Sequence, residues 1–276
     1  MNHKRKALSK KIFFYLMISV LSFFILLPFF WMVSTSLKES KALTSIPIQW
    51  IPENVTTEAY VTLFNVFPFA RSIFNSVFIA FAGTFISVLS AAMAAFVFAK
   101  IEFRGREILF GFFLATMMIP GNLVMIPNYL ILRSLNLIDT YTGVLLPGFF
   151  NAFGTFLLRQ NMKSLSDSYI EAAFMDGASR LRIFFRIVLP LVKPALTTVT
   201  VLIFMGNWNA YLWPLIVLTS KEKMTLTVGL SLLNGQHGTD YNMLMAGAII
   251  SIIPMIIVYG LAQKHIEGGL SVGGLK

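Results

Sequence analysis

Cysteine is absent from the 276 residues, which excludes disulfides, thiolate metal sites and cysteine nucleophiles at once. Charge is nearly as scarce: 12% of residues are charged and 57% apolar, where a soluble domain has roughly 25% and about 45–50%. The histidines are His3, His237 and His265, and no H-E-x-x-H or comparable spacing offers a metal site. The phosphate-cradling pattern G-x-x-x-x-G-K-[ST] is missing, so this chain cannot bind ATP in that manner by itself. One hydrolase-like pattern does occur, Gly269-Leu270-Ser271-Val272-Gly273. It lacks the strand-turn-helix that would expose its serine, and His265 sits in a tail without a scaffold. The chain is therefore not an enzyme, and any energy it uses comes from elsewhere.

What is present is oil. Apolar runs long enough for a bilayer fall at 12–33, 76–99, 108–126, 142–158, 195–218 and 244–261. The expected fold is all-α, a polytopic membrane protein with six transmembrane helices and a single membrane domain over 1–276. Sixteen of the 22 basic residues fall on one side: Lys4, Arg5, Lys6, Lys10, Lys11, Lys100, Arg104, Arg106, Arg159, Lys163, Arg180, Arg182, Arg186, Lys193, Lys264 and Lys276. Cytoplasmic loops collect such residues, so both termini are expected to be cytoplasmic. The basic N-terminus followed by a long apolar run reads as a retained first span, because no small-x-small cleavage pattern follows it. Ala91, Ala95 and Ala99 give the second span a small face for close helix packing. Pro120-Gly121 interrupts the third span, either as a kink or span end or where a path is lined. The spans are expected to hold essentially no ionisable groups, which speaks against an ion-coupled carrier, as does the lack of an internal repeat.

Against this background the segment 168–190 is unusually polar. Ser168 and Glu171 fit a capping box, starting a helix that runs to about Asp176 and stops at Gly177. Ser179 can cap a second helix whose Leu181, Phe184, Phe185 and Val188 share one face while Arg182 and Arg186 point away. Pro190 and Pro194 then reset the backbone. Such a cytoplasmic element is either a solvated loop with interfacial helices or a close-fitting knob for a partner protein. In the second case Ala172, Ala173 and Gly177 permit approach, and Glu171 and Asp176 supply register.

Glu171-Ala172-Ala173, three residues, Gly177, nine residues, then Ile187-Val188-Leu189-Pro190 resembles the EAA motif of the inner-membrane permease subunits of bacterial ABC importers. The likeness to the carbohydrate branch, and to its maltose-permease second subunit, extends through "STSLK", "FNSVFIA", "GNWNAYLWPL", "LTVGL", "YNMLMAGAII" and "IEGGLSVGGLK". It covers nearly the whole chain from Ser34. The resemblance implies a bacterial cell-membrane permease that moves a mono- or oligosaccharide inward. Its implied partners are two copies of a cytoplasmic ABC ATPase carrying ATP and Mg, a second EAA-type membrane subunit and an extracytoplasmic sugar-binding protein, with no nucleic acid and no cofactor in this chain. It also implies an ATPase-coupling role for Glu171, Ala172, Ala173, Asp176, Gly177, Ser179, Arg180, Leu181, Arg182, Phe184, Ile187, Leu189 and Pro190. Polyol or glycerol-phosphate import, and a self-contained secondary carrier, are the alternatives.

Amides and aromatic faces suit sugars, so Asn122, Asn207, Trp208, Asn209 and Tyr211 are candidates for a substrate path. Residues of these types in spans also serve as interhelical hydrogen bonds and interface anchors. Two outside loops, 38–74 and 219–242, are candidates for meeting a binding protein, the second through the exposed turn near Gly235 and Gly238. The glycine-rich tail 268–276 reads as a flexible end.

Overall fold

The structure is a computed structural model that describes residues 2–40, 43, 47–235 and 238–271. In chain order its helices are α1 Asn2–Ser36, α2 Glu58–Val66, α3 Phe69–Lys100, α4 Arg106–Ala115, α5 Met125–Ser134, α6 Tyr141–Leu145, α7 Ala152–Lys163 and α8 Ser168–Met175. There follow α9 Arg180–Ile183, a π-helical turn Phe184–Val188, α10 Leu189–Leu191, α11 Lys193–Trp208, α12 Leu212–Val217, α13 Leu226–Leu232 and α14 Tyr241–Ser271. The strands among the described residues are one pair of two residues each, with Asn234 opposite Thr239 and Gly235 opposite Gly238. His237 lies outside the described residues, as does the end of the tail from Val272. The part of the tail expected to be flexible continues α14 as far as Ser271.

Three helices are long and apolar enough to cross a membrane unbroken: Lys10–Ser36, Phe69–Lys100 and Tyr241–Gln263. Three bent pairs pass the same test of length and composition, and the total is the six expected if each pair is one span. Arg106–Met118 and Gly121–Ser134 meet at 90°, Tyr141–Gly148 and Ala152–Lys163 at 44°, and Arg180–Leu191 and Lys193–Trp208 at 86°. The sequence runs at 108–126 and 142–158 therefore each cross a break. Pro120 has no N–H to give and holds an extended ψ of 129°, while Asn151 starts α7 afresh by accepting the Gly154 N–H at 2.7 Å. The run 195–218 is likewise not one helix. It ends at Trp208, where Asn209 leaves helical geometry, and α12 forms separately.

The chain divides into two compact units, Met1–Phe67 with Leu230–Ile253, and Pro68–Gly229 with Pro254–Lys276. In the first, the end of α1 is fastened by Ser36 Oγ to Tyr60 Oη at 3.0 Å and by Ser34 Oγ to the Trp50 carbonyl. Lys38 is buried there, its ammonium 4.0 Å from the Trp31 ring centre and donating to the Gln49 carbonyl. Burial lowers its pKa, because desolvation penalises the charged form.

In the second unit α3, α7 and α11 form the core. Ala91 and Ala95 are buried and Ala99 packs beside them, so the small face is used for helix contact as expected. Leu158 and Met162 of α7 and Val199 of α11 fill the opposing surface. A second cluster joins Ile79, Leu132, Val144, Val217 and Leu218.

Candidate functional site

The segment 168–190 folds as a helix, a glycine turn and a second helix, with its backbone polar groups paired internally. α8 stops in a full C-terminal cap: Gly177 adopts φ +76°, its N–H donates to the Phe174 carbonyl at 3.0 Å, and the Ala178 N–H donates to the Ala173 carbonyl at 2.9 Å. Only glycine takes this left-handed conformation without a Cβ penalty. Ala173 and Ala178 then pack into the core cluster, which gives the turn its apolar seat. The second helix starts as expected, with Ser179 Oγ accepting the Arg182 N–H at 3.3 Å.

Two local expectations are corrected. Ser168 is not the cap of α8: it is the first helical residue, and its hydroxyl pairs with that of Ser166 at 2.7 Å. Asp167 precedes the helix, its carbonyl accepting the Ile170 and Glu171 N–H groups at 2.9 Å each. Its carboxylate does not cap because the Lys100 ammonium takes it at 2.6 Å, a charge-assisted partner stronger than a backbone N–H. The buried face of the second helix is also different. Ile183, Phe184 and Val188 are buried, with Ile187 and Leu189 partly so, whereas Leu181 and Phe185 are exposed. The π turn is the cause, since its wider pitch brings Ile183 and Val188, five residues apart, onto one face.

This arrangement sorts the candidate residues. Ala173, Phe184, Ile187 and Leu189 anchor the segment, with Phe184 meeting Phe96 of α3 at 5.4 Å between ring centres. Glu171, Ala172, Asp176, Gly177, Ser179, Arg180, Leu181, Arg182 and Pro190 are exposed. None of the described ion pairs uses Glu171, Asp176, Arg180, Arg182 or Arg186. Beside the segment lies a cavity of about 450 Å³ lined by Thr84, Phe85, Val88, Phe185, Leu196 and Thr200 among others.

The substrate-path candidates do not gather into one site. Asn207 is half-buried and donates to Thr84 Oγ1 at 3.2 Å, a contact Gly83 permits because a Cβ there would lie 3.0 Å from Asn207 Nδ2. Trp208 is buried and stacks on Phe204 at 6.1 Å. Asn207 thereby ties α11 to α3, and the Trp208 stack lies within α11. Asn209 and Tyr211 are exposed beyond the end of α11, with Asn209 Nδ2 lying 3.9 Å from Met255 Sδ. Asn122 is exposed in the turn at the 90° bend.

Several polar anchors escaped the sequence reading. Arg159, one residue past the run 142–158, is 3% exposed. Its guanidinium sits 3.8 Å from the Phe110 ring centre, and it donates to the Phe98 carbonyl and to Glu107 Oε1 at 2.5 Å. On the 219–224 loop, Asp139 accepts from the Thr219 and Ser220 N–H groups, the Ser220 hydroxyl and Lys223. Burial alone would push its carboxyl pKa up, but the Ser220, Lys223 and Thr219 hydrogen bonds outweigh it and hold the pKa well below the usual carboxylate range. Asn75 donates to the Glu222 and Met224 carbonyls and accepts from Tyr141 Oη at 2.8 Å. The sequence signal for these residues was a charge or amide beside an apolar run, which does not reveal its partner.

Residues 83–272 match the family described as binding-protein-dependent transport system inner membrane component. The chain belongs to this family, the permease component of ABC importers. It is 37% identical over 266 residues to the arabinooligosaccharides transport system permease protein AraQ of Bacillus subtilis (strain 168), covering 95% of this chain and 94% of that protein. It is 32% identical over 270 residues to the inner membrane ABC transporter permease protein YcjP of Escherichia coli (strain K12), covering 96% of each. Among solved structures, a chain of a bacterial ABC transporter involved in the import of the acidic polysaccharide alginate superposes with a TM-score of 0.82. It is 31% identical, over 94% of this chain and 98% of that one.

Proposed function

We propose that this chain is a multi-pass permease of a bacterial cell membrane that admits a mono- or oligosaccharide, with both termini and the 168–190 segment in the cytoplasm. A solute-binding protein delivers the sugar outside. Two copies of an ATPase, binding ATP and Mg, work inside, and a second EAA-bearing permease completes the path. One observation carries the coupling role: the segment satisfies its own backbone, seats one apolar face on α3, and leaves Glu171, Asp176 and three arginines without ion pairs in the described structure. A rigid lever with unspent charges suits a partner that pushes on it. Sugar as cargo is supported by the arabinooligosaccharide relative. Glycerol phosphate is the second reading, because the sn-glycerol-3-phosphate permease UgpE of Yersinia enterocolitica is 35% identical over 208 residues.

The test is uptake of labelled arabinotriose and of labelled sn-glycerol 3-phosphate by cells with and without this chain, with charge-reversed Glu171→Lys as a third strain. Sugar uptake lost in both the deletion and Glu171→Lys supports the reading. Glycerol-phosphate uptake lost instead selects the second reading, and normal uptake with Glu171→Lys removes the coupling role.

A further inference from the structure

Lys100, the last residue of α3, reaches across to the start of the 168–190 segment. Its ammonium donates to the Leu165 carbonyl at 2.7 Å and to Asp167 Oδ1 at 2.6 Å. The Lys100 side chain is 3% exposed, while that of Asp167 is 73% exposed. A buried ammonium is strongly disfavoured unless it is paired, so these two acceptors define where the lysine can sit. Both lie in the stretch between α7 and α8, and the Asp167 carbonyl is the one that starts α8.

The rest of the α3–α7 junction does not depend on Lys100. Arg159 separately ties α7 to the Phe98 carbonyl, to Glu107 and to the Phe110 ring. Ala91, Ala95, Leu158 and Met162 pack the two helices together. Removing the lysine would leave that core intact and remove only the polar tie at the entry to α8, which would then be held by the packing of Leu165, Ile170 and Ala173.

We propose that Lys100 is a positioning residue that transmits load from the 168–190 segment to α3. The inference rests on the coupling reading above. With the tether, a push on α8 moves α3 with it. Without it, the apolar seat on α3 remains but the stretch 164–167 loses its polar hold, and less of the push reaches the span.

The absence of cysteine makes the test direct, because introduced pairs carry the only labels on this chain. In the reconstituted complex with its ATPase and partner permease, Lys100→Met is compared with Lys100→Arg and Asp167→Asn. The readouts are ATPase retention, ATP hydrolysis, sugar moved per ATP, and the spin-label distance distribution between Val97→Cys and Tyr169→Cys. Lys100→Met is expected to retain the ATPase, hydrolyse ATP within about twofold of wild type, move about tenfold less sugar per ATP, and broaden the distribution. Lys100→Arg restores most of the yield, and Asp167→Asn loses about threefold because the Leu165 carbonyl remains. An unchanged yield in Lys100→Met, or an arginine variant no better than methionine, overturns the proposal. Should Lys100→Met fail to assemble, Asp167→Asn decides: a wild-type yield and distribution there is equally fatal. A wild-type chain that retains no ATPase would overturn the coupling reading itself, whereas retained ATPase with the same distribution in wild type and Lys100→Met would overturn the tether alone.

Discussion

Replacement of Gly177 by alanine, asparagine and aspartate separates strain inside this chain from a clash with a partner. At φ +76° any Cβ meets the left-handed penalty, about 1–2 kcal/mol for alanine. Asparagine and aspartate tolerate this region better. Space is not the obstacle, since a Cβ at Gly177 would find nothing within 4 Å. If strain alone mattered, alanine would impair transport most, by about tenfold for each 1.4 kcal/mol that unwinds the turn. A partner surface lying against the glycine reverses the order: aspartate adds both bulk and charge where approach is close, asparagine adds bulk, and alanine adds one methyl. The expected ranking of damage is aspartate, then asparagine, then alanine. ATP-driven sugar uptake and ATPase co-purification, normalised to the amount of chain in the membrane, provide the assay. Alanine as the worst variant, with aspartate close to wild type, would refute a docked surface at this turn.

Two further outcomes are expected. Gly143→Ala places a methyl 2.3 Å from the Leu137 backbone carbonyl, which cannot swing away as a side chain would, and should cost about 1–3 kcal/mol or more. Thermal unfolding in detergent checks it, with Gly206→Ala as the control because nothing lies within 4 Å of that Cβ. Asp139, whose folded pKa is depressed, contributes stability that is fully present above its unfolded pKa and lost only as pH falls through the folded value. Amide exchange across 219–224 should therefore be as protected at pH 5 as at pH 7 after correction for the intrinsic rate. Lost protection over that interval would show that the carboxylate does not hold the loop.

The all-α membrane class and the location of the polar segment were legible because both depend on local composition and spacing. Gly177 and Ser179 were legible for the same reason, each acting on backbone within a few residues. What failed was whatever a distant partner decides. Ser168 looked like a cap but is already helical, and Asp167 before it has its carboxylate drawn off by Lys100, 67 positions upstream. Arg159 looked like one of many basic loop residues, yet the Phe110 face and Glu107 draw it inside. For Asn207 and Trp208 the sequence did not show that Thr84 and Phe204 are their neighbours. The 86° bend at Val192 was foreshadowed by Pro190 and Pro194, which flank it, whereas the 44° break before Asn151 had no such proline signal in the reading.

The π turn at Phe184–Val188 has a bearing on how the chain tolerates changes in length. Such a turn is an α-helix holding one residue more than its pitch requires. Elsewhere in a helix, deleting a residue swings every later side chain by about 100° and pulls the buried face out of its seat. Deletion of Arg186 would instead let the turn tighten to ordinary α-helix, with Ile183 and Val188 still facing inward. Of all positions between Ser179 and Pro190, this turn is where the chain can lose a residue and keep its register.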